Sequence, residues 1–324
     1  MKALKFHSCL APEIQRFISL RQLSGTDYQS QAQMLGYFDR FLVKEKTCEP
    51  RIAPKIIEDY QRTLSHLTPR VQSNRLSVVR QFCGYLTRTD PLGYVPEPLR
   101  TITPQAAHRP YIYNETEIGT LLASASRLGP PGGLRPQTYR TLLGLLYSTG
   151  MRIGEALALN LKDFYSTEER LYIAEGKFHK ARWVALSACT CQALKHYVES
   201  RRHMTPRSLD SPLFLNQRGR RLHYPTVNQI FHRLLGQCAI APNQRTGPRI
   251  HDLRHTFAVH RLLAWCRDGA DVNARLPWLA TYMGHVEIAS THVYLNPTAE
   301  LLQEVGTRFR NHYLQHVETL GERS

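Results

Sequence analysis

Several absences narrow this chain before any motif is read. No apolar stretch approaches the roughly 20 residues that a membrane-spanning helix requires. The N-terminus lacks the charged, long-apolar and small-residue pattern of a secretory leader, so a soluble, cytoplasmic protein is expected. Cysteine is present seven times, at 9, 48, 83, 189, 191, 238 and 266, but never in CxxC spacing. An odd, scattered set argues against a disulfide frame and for reduced intracellular thiols. Cys189 and Cys191 are separated by one residue, too close for the usual two-cysteine zinc corner. Internal repeats and low-complexity tracts are absent as well. The largest deficit is in acidic residues: Asp and Glu number 26 against 42 Lys and Arg, a formal net charge of +16. So unbalanced a surface asks for a polyanionic partner, of which nucleic acid is the commonest.

What is present is ample for a core. The 324 residues are 42% hydrophobic, enough for two domains. From residue 11 to residue 88 the pattern is helical, with no strand expected. Tyr28, Leu35, Phe38, Phe41 and Leu42 recur at helical spacing after Thr26-Asp27, a pair placed to cap the helix start. Ile56, Ile57, Tyr60 and Leu64 predict another helix, and Val71, Leu76, Val79, Phe82 and Leu86 a further one. Around this last helix stand Arg70, Arg75, Arg80 and Arg88, facing either phosphates or bulk water. Prolines at 91, 96, 98, 104 and 110 then interrupt regular hydrogen bonding and mark a linker. The expected division is a helical domain over residues 1–90, a linker over 91–109 and a second domain over 110–324.

That second domain opens with Asn114-Glu115-Thr116-Glu117, a cap followed three residues later by a glutamate. An apolar helix over 139–147 is broken by Thr149-Gly150, which leaves Arg152 in a turn. Leu171-Tyr172-Ile173 and Trp183-Val184-Ala185-Leu186 predict a β-hairpin. Helical text returns at 190–202, 225–237, 251–266 and around 278–283. The expected fold class is mainly α, with one small antiparallel hairpin or sheet in the second domain.

Five separated segments then stand out: Thr149-Gly150-Met151-Arg152, Gly176-Lys177-Phe178-His179-Lys180, His251-Asp252-Leu253-Arg254-His255-Thr256, Met283-Gly284-His285, and Tyr294. They suit the attack of a tyrosine hydroxyl on a phosphodiester. Guanidinium forks match the non-bridging oxygens of a phosphate with paired, charge-assisted hydrogen bonds, and imidazole can bind and move protons near neutral pH. Singly, each residue has an ordinary use: arginine as a solvated charge, histidine as a satisfied polar group, one of 16 tyrosines as core or surface. Their joint order is what carries information.

In that order the segments resemble the tyrosine recombinases, the family of phage integrases, Xer-type chromosome resolvases and integron integrases, over roughly residues 110–305. The resemblance implies that Arg152 and Arg254 grip the scissile phosphate and stabilise its transition-state charge from fixed positions. It implies that Lys177 gives a proton to the departing 5′ oxygen, with Lys180 as the rival for that role. His251 and His285 would complete the phosphate cage, and Tyr294 would be the nucleophile, leaving a 3′-phosphotyrosyl bond and a free 5′ hydroxyl. Because that bond conserves the energy for rejoining, no cofactor, neither ATP nor metal, is required. Glu155 fits an acidic position of the family that orients the arginine; a plain helix-surface charge is the other reading.

The first domain would be the family's helical core-binding, SAM-like domain and the second its catalytic domain. Double-stranded DNA is the implied partner, with a homotetramer on two duplexes, other recombinase subunits as further partners, no membrane, and a nucleoid-associated location. Residues 299–315 would pack on a neighbouring subunit or close their own domain. Only about ten residues precede the first helix, leaving no room for a separate arm-binding domain and favouring a simple-site recombinase. Arg201, Arg202, Arg218, Arg220 and Arg221 are expected on DNA phosphates, which position a protein without reading bases.

Met283 stands where leucine is common in the family, and Phe178-His179 where glycine and asparagine are frequent. Between His251 and His285 lie several more residues than in Xer-type members, around Trp265 to Pro277, as in recombinases of transposons and other mobile elements. Three other readings stay open: a DNA-binding accessory protein of the same fold that cuts nothing, a type IB topoisomerase-like enzyme, and a zinc hydrolase. The last has His251 and His255 at i and i+4 with His260 nearby, but Asp252 and Leu253 where an HExxH site carries glutamate.

Overall fold

Aromatic side chains build the N-terminal core. In the computed structural model, which describes residues 4–25, 27–47, 51–98, 110–130, 132–174, 181–203, 208–241 and 247–284, the chain divides into two compact units, residues 1–108 and 109–324. The first contains helices α1 (Ala11–Leu23), α2 (Gln29–Lys44), α3 (Pro54–Thr63) and α4 (Pro69–Leu86). Pro54 and Pro69 occupy the start of their helices, where a missing N–H costs nothing and a fixed φ favours the first turn. Phe17, Phe38 and Phe82 are buried at its centre. Phe17 meets Tyr28 edge-on at 5.7 Å, and Phe38 meets Tyr60 at 4.9 Å.

Packing sets two local details in this unit. The N-cap of α2 is Tyr28, in the left-handed region at φ 50°, without a side-chain cap bond. Burial of its ring against Phe17 fixes the start of the helix; of the expected capping pair, Thr26 lies outside the described residues. Val71 is exposed, because the buried face of α4 begins only at Leu76 and runs through Val78, Val79, Phe82 and Cys83.

The second unit contains α5 (Glu115–Ala125), α6 (Leu134–Thr149), α7 (Ile153–Ala158), strands β1 (Phe164–Tyr165), β2 (Arg170–Ile173) and β3 (Arg182–Ala185), then α8 (Ala188–Ser200), α9 (Tyr224–Gln237), α10 (Asp252–Arg267) and α11 (Val272–Met283). The predicted cap of α5 forms in full. Asn114 Oδ1 accepts from the Glu117 amide at 2.8 Å, while Glu117 Oε2 accepts from the Asn114 amide at 2.9 Å. Helix α6 packs against α5, α8 and α10; Gln137 and Arg140 in its first half are exposed, while Thr141, Leu142, Leu143, Leu145 and Leu146 in its second half are buried. The hairpin expected at 171–186 is the larger part of a three-stranded antiparallel sheet in the order β1-β2-β3. Leu171 pairs with Val184 and Ile173 with Arg182, so the inward face of the hairpin holds three apolar side chains and one arginine. The fold is mainly α with one small antiparallel sheet. Among the described residues no helix is long and apolar enough to cross a membrane.

Candidate active site

Gly150 ends α6 with φ 61°, and a Cβ there would lie 2.3 Å from Cδ1 of Phe257. Both the dihedral and the contact require glycine. The chain turns, buries Met151, and delivers Arg152 to the N-cap of α7. One helical turn on, Glu155 reaches back: its Oε2 accepts the Arg152 amide at 2.9 Å and its Oε1 accepts Arg152 Nη1 at 2.9 Å. The carboxylate is only 5% exposed.

Arg254 projects from the buried side of α10 and is 2% exposed. Its Nη1 donates to the Gly150 carbonyl at 2.6 Å and its Nη2 to the Met283 carbonyl at 2.8 Å. Arg152 Nη2 donates to the next carbonyl, that of Gly284, at 3.1 Å. The two arginines singled out by sequence are thereby drawn from distant segments to adjacent residues at the C-terminal end of α11. That end carries partial negative charge from its unpaired carbonyls, which favours cations. The residue after Gly284 in the chain is His285.

A third guanidinium joins them. Arg182, on the inward face of β3, gives Nε to the Tyr282 carbonyl at 3.1 Å, Nη1 to Glu155 Oε1 at 3.0 Å and Nη2 to Glu155 Oε2 at 2.8 Å. Burial alone would raise the Glu155 carboxyl. The hydrogen bonds and charge of Arg182, with those of Arg152, outweigh it and hold the group below its ordinary value.

His251 precedes α10 at its N-cap. Bulk packed about its ring lowers its pKa first, and the charges of Arg254, Arg249 and Arg152 push the same way against Asp252 alone. The imidazole is thus biased to its neutral form, able to donate from one nitrogen and accept at the other. Its ring meets that of His255 at 5.2 Å and 81°. Burial and then the charge of His251 push His255 down to about 4. Asp252 fixes this helix start by accepting the Arg249 amide at 2.9 Å.

The structure therefore brings together Arg152, Arg254 and His251. Lys177, Lys180, His285 and Tyr294 lie outside the described residues. Arg182 was not singled out by sequence. The available signal was a charged side chain two positions from Val184, on the face that alternation assigns to the interior. Glu155 is no helix-surface charge: it is buried between two arginines.

The expectation of phosphate contacts is overturned for Arg201 and Arg221. Arg201 is 2% exposed and gives its donors to the Leu213 carbonyl at 2.7 Å, to the Pro212 carbonyl and to Ser211 Oγ at 3.0 Å. Arg221 donates to the carbonyls of Leu157 and Leu159 at 2.6 and 3.1 Å and to Asn160 Oδ1 at 2.5 Å. Both hold loops together with groups that DNA would have needed. Arg202 pairs with Glu199, whereas Arg218 and Arg220 are exposed. Among the described residues, no three His, Cys, Asp or Glu side chains gather as a metal site of the kind a zinc hydrolase needs.

Comparison with known proteins supplies the family. A putative integrase/recombinase of Sinorhizobium fredii is 34% identical over 306 residues, covering 93% of this chain and 96% of that one. Tyrosine recombinase XerC of Bacillus subtilis is 30% identical over 264 residues, covering 81% of this chain and 78% of that one. Among solved structures, the Tn1549 transposon integrase in complex with a circular intermediate DNA has a TM-score of 0.65 at 15% identity, covering 92% of this chain and 99% of that one. XerH site-specific recombinase bound to a palindromic difH substrate has a TM-score of 0.63 at 22% identity, covering 86% and 79%. At these identities the two structures speak for the fold. Residues 114–300 match the phage integrase family, and with these relatives the chain belongs to that family, the tyrosine-type site-specific recombinases.

Proposed function

We propose that the protein cleaves and rejoins double-stranded DNA, with Tyr294 as nucleophile and Arg152, Arg254, His251, His285 and Lys177 around the scissile phosphate. The phenolic oxygen of Tyr294 forms a bond to phosphorus as the bond from phosphorus to the 5′ oxygen breaks. The phenol proton leaves through a histidine, and Lys177 supplies a proton to the 5′ oxygen. The products are a 3′-phosphotyrosyl link and a 5′ hydroxyl, and attack by a 5′ hydroxyl from another strand reverses the step. Residues 1–90 serve as a DNA-binding domain and residues 110–324 as the catalytic domain, joined by residues 91–109. Four copies act on two duplexes in the cytoplasm, at the nucleoid. The segment around Trp265 to Pro277 and the fold likeness to a transposon integrase favour a mobile-element role.

The observation that carries this reading is the convergence of Arg152 and Arg254 on the carbonyls of Gly284 and Met283, beside His251 and immediately before His285 in the chain. Fixed guanidiniums at one point are what a phosphoryl transition state requires, since they stabilise its charge without reorganising. A duplex carrying a target site, nicked so that the strand beyond the cleavage point diffuses away, provides the test. Wild-type protein should become covalently attached through the 3′ phosphate at the cleavage point, in an adduct that survives denaturation, while Tyr294→Phe should not. A denaturation-resistant adduct formed by the Phe variant removes Tyr294 from its role.

A further inference from the structure

Glu155 presents a difficulty for any anion-binding task assigned to Arg152. A buried carboxylate held at 2.9 Å from Nη1 cancels much of the charge of the guanidinium beside it. If the pair stood alone, an incoming phosphate would meet a neutral couple. Arg182 changes this balance. It takes both oxygens of Glu155 in a bidentate fork, at 3.0 and 2.8 Å, while Arg152 holds a single oxygen through its side chain. Its own side chain is 12% exposed, so this pairing is little screened by water. With the carboxylate divided between two cations, the group Arg152, Arg182, Arg254 and Glu155 keeps a net positive charge.

Arg182 also governs where Arg152 sits. Its Nε holds the Tyr282 carbonyl at 3.1 Å, next to the Met283 and Gly284 carbonyls that receive Arg254 and Arg152. Three consecutive carbonyls at the end of α11 are thus tied to three guanidiniums. The face of Gly284 lies against Arg182: a Cβ there, at φ 71°, would come within 2.9 Å of Arg182 Cζ. Lysine could not replace this fork, because a single ammonium cannot bind two carboxylate oxygens and a carbonyl in these fixed directions.

We propose that Arg182 is a positioning residue: it takes up the charge of Glu155 so that Arg152 keeps its own for the phosphate, and it ties the turn before His285 to the same carboxylate. The inference rests on the recombinase reading above and extends it to a residue that acts through Glu155 and Arg152.

Single-turnover cleavage of the nicked duplex by the full chain, at saturating protein, separates the chemical step from binding to an intact duplex. Arg182→Gln should cleave about 10- to 100-fold more slowly, with a Kd within about threefold of wild type. Adding Glu155→Gln should recover about fivefold or more of that loss, because the unopposed carboxylate is then gone. A scaffold role alone gives no such recovery. Arg182→Lys, which keeps the charge, should fall between wild type and Arg182→Gln, and it carries the same comparison if Arg182→Gln melts below the assay temperature. The inference is overturned if Arg182→Gln cleaves within about twofold of wild type, or if the double variant is no faster than the single one. A wild-type chain that forms no covalent adduct would instead defeat the recombinase reading itself.

Discussion

Gly150 joins the fold to the chemistry, and replacing it with alanine gives a calculable result. Its φ of 61° costs an L-residue about 1–2 kcal/mol. The new methyl group would also stand 2.3 Å from Cδ1 and 2.9 Å from Cγ of Phe257. Phe257 is buried in a small cluster with Leu262, Leu276, Leu279 and Met283, so its ring has little room to retreat. Overpacking of this kind costs about 1–3 kcal/mol. Together the two effects come to roughly 2–5 kcal/mol, a fall in Tm of about 4–20 °C for a unit of this size. Thermal melts of Gly150→Ala and of Gly150→Ala combined with Phe257→Leu separate the parts. In the Leu background only the backbone cost should remain, a coupling of at least about 1 kcal/mol. Cleavage should fall as well, because the Gly150 carbonyl is the 2.6 Å acceptor of Arg254. A Gly150→Ala protein that melts within about 1 °C of wild type would refute both the strain and the close-contact arguments.

Two further outcomes follow from the burial of charged groups. His255 sits near 4 in the fold against an ordinary 6.5, pushed down by burial and by His251, with Arg249 and Arg254 assisting and Asp252 opposing. Between those values the unfolded chain binds the extra proton, so the contribution is fully present above pH 6.5 and is lost as pH falls toward 4. Melting temperature should decline across that window, and less steeply for His255→Asn; parallel slopes would contradict the assignment. Arg201→Ala should lower stability by at least about 2 kcal/mol by stranding buried carbonyls, whereas Arg218→Ala should weaken DNA binding and leave the melt unchanged. Equal Tm values with weaker binding for Arg201→Ala would restore the phosphate-contact reading.

The elements legible in the sequence were those whose causes are local. The Asn114–Glu117 cap needs only four consecutive residues, and it forms as expected. Helical periodicity located the helices because one buried stripe suffices to show it, and β2 and β3 were visible through their apolar alternation. Strand β1 was not, since two residues become a strand only by pairing with Leu171 and Arg170. The start of α2 was missed because ring packing, not a side-chain cap, sets it. Nor does composition distinguish an arginine that holds backbone carbonyls from one that meets phosphate. Arg201 and Arg218 read alike in one dimension, and only burial separates them.

Arg182 marks the same boundary inside the site. The motifs supplied Arg152, His251 and Arg254 because their neighbours in sequence follow a recognisable pattern. The partners of Arg182 are instead a carboxylate 27 positions away and a carbonyl 100 positions away. Strand alternation does place it inward with Ile173 and Val184, and a charge on an inward face demands a partner, because an unpaired buried guanidinium would be far too costly. That demand reveals the existence of an acid without naming it. Glu155 could be named only once the hairpin, the start of α7 and the end of α11 were seen to meet, with both oxygens of its carboxylate engaged by two guanidiniums. The pattern of residues thus names Arg152, Arg254 and His251, while the division of the Glu155 carboxylate between two guanidiniums belongs to the folded chain.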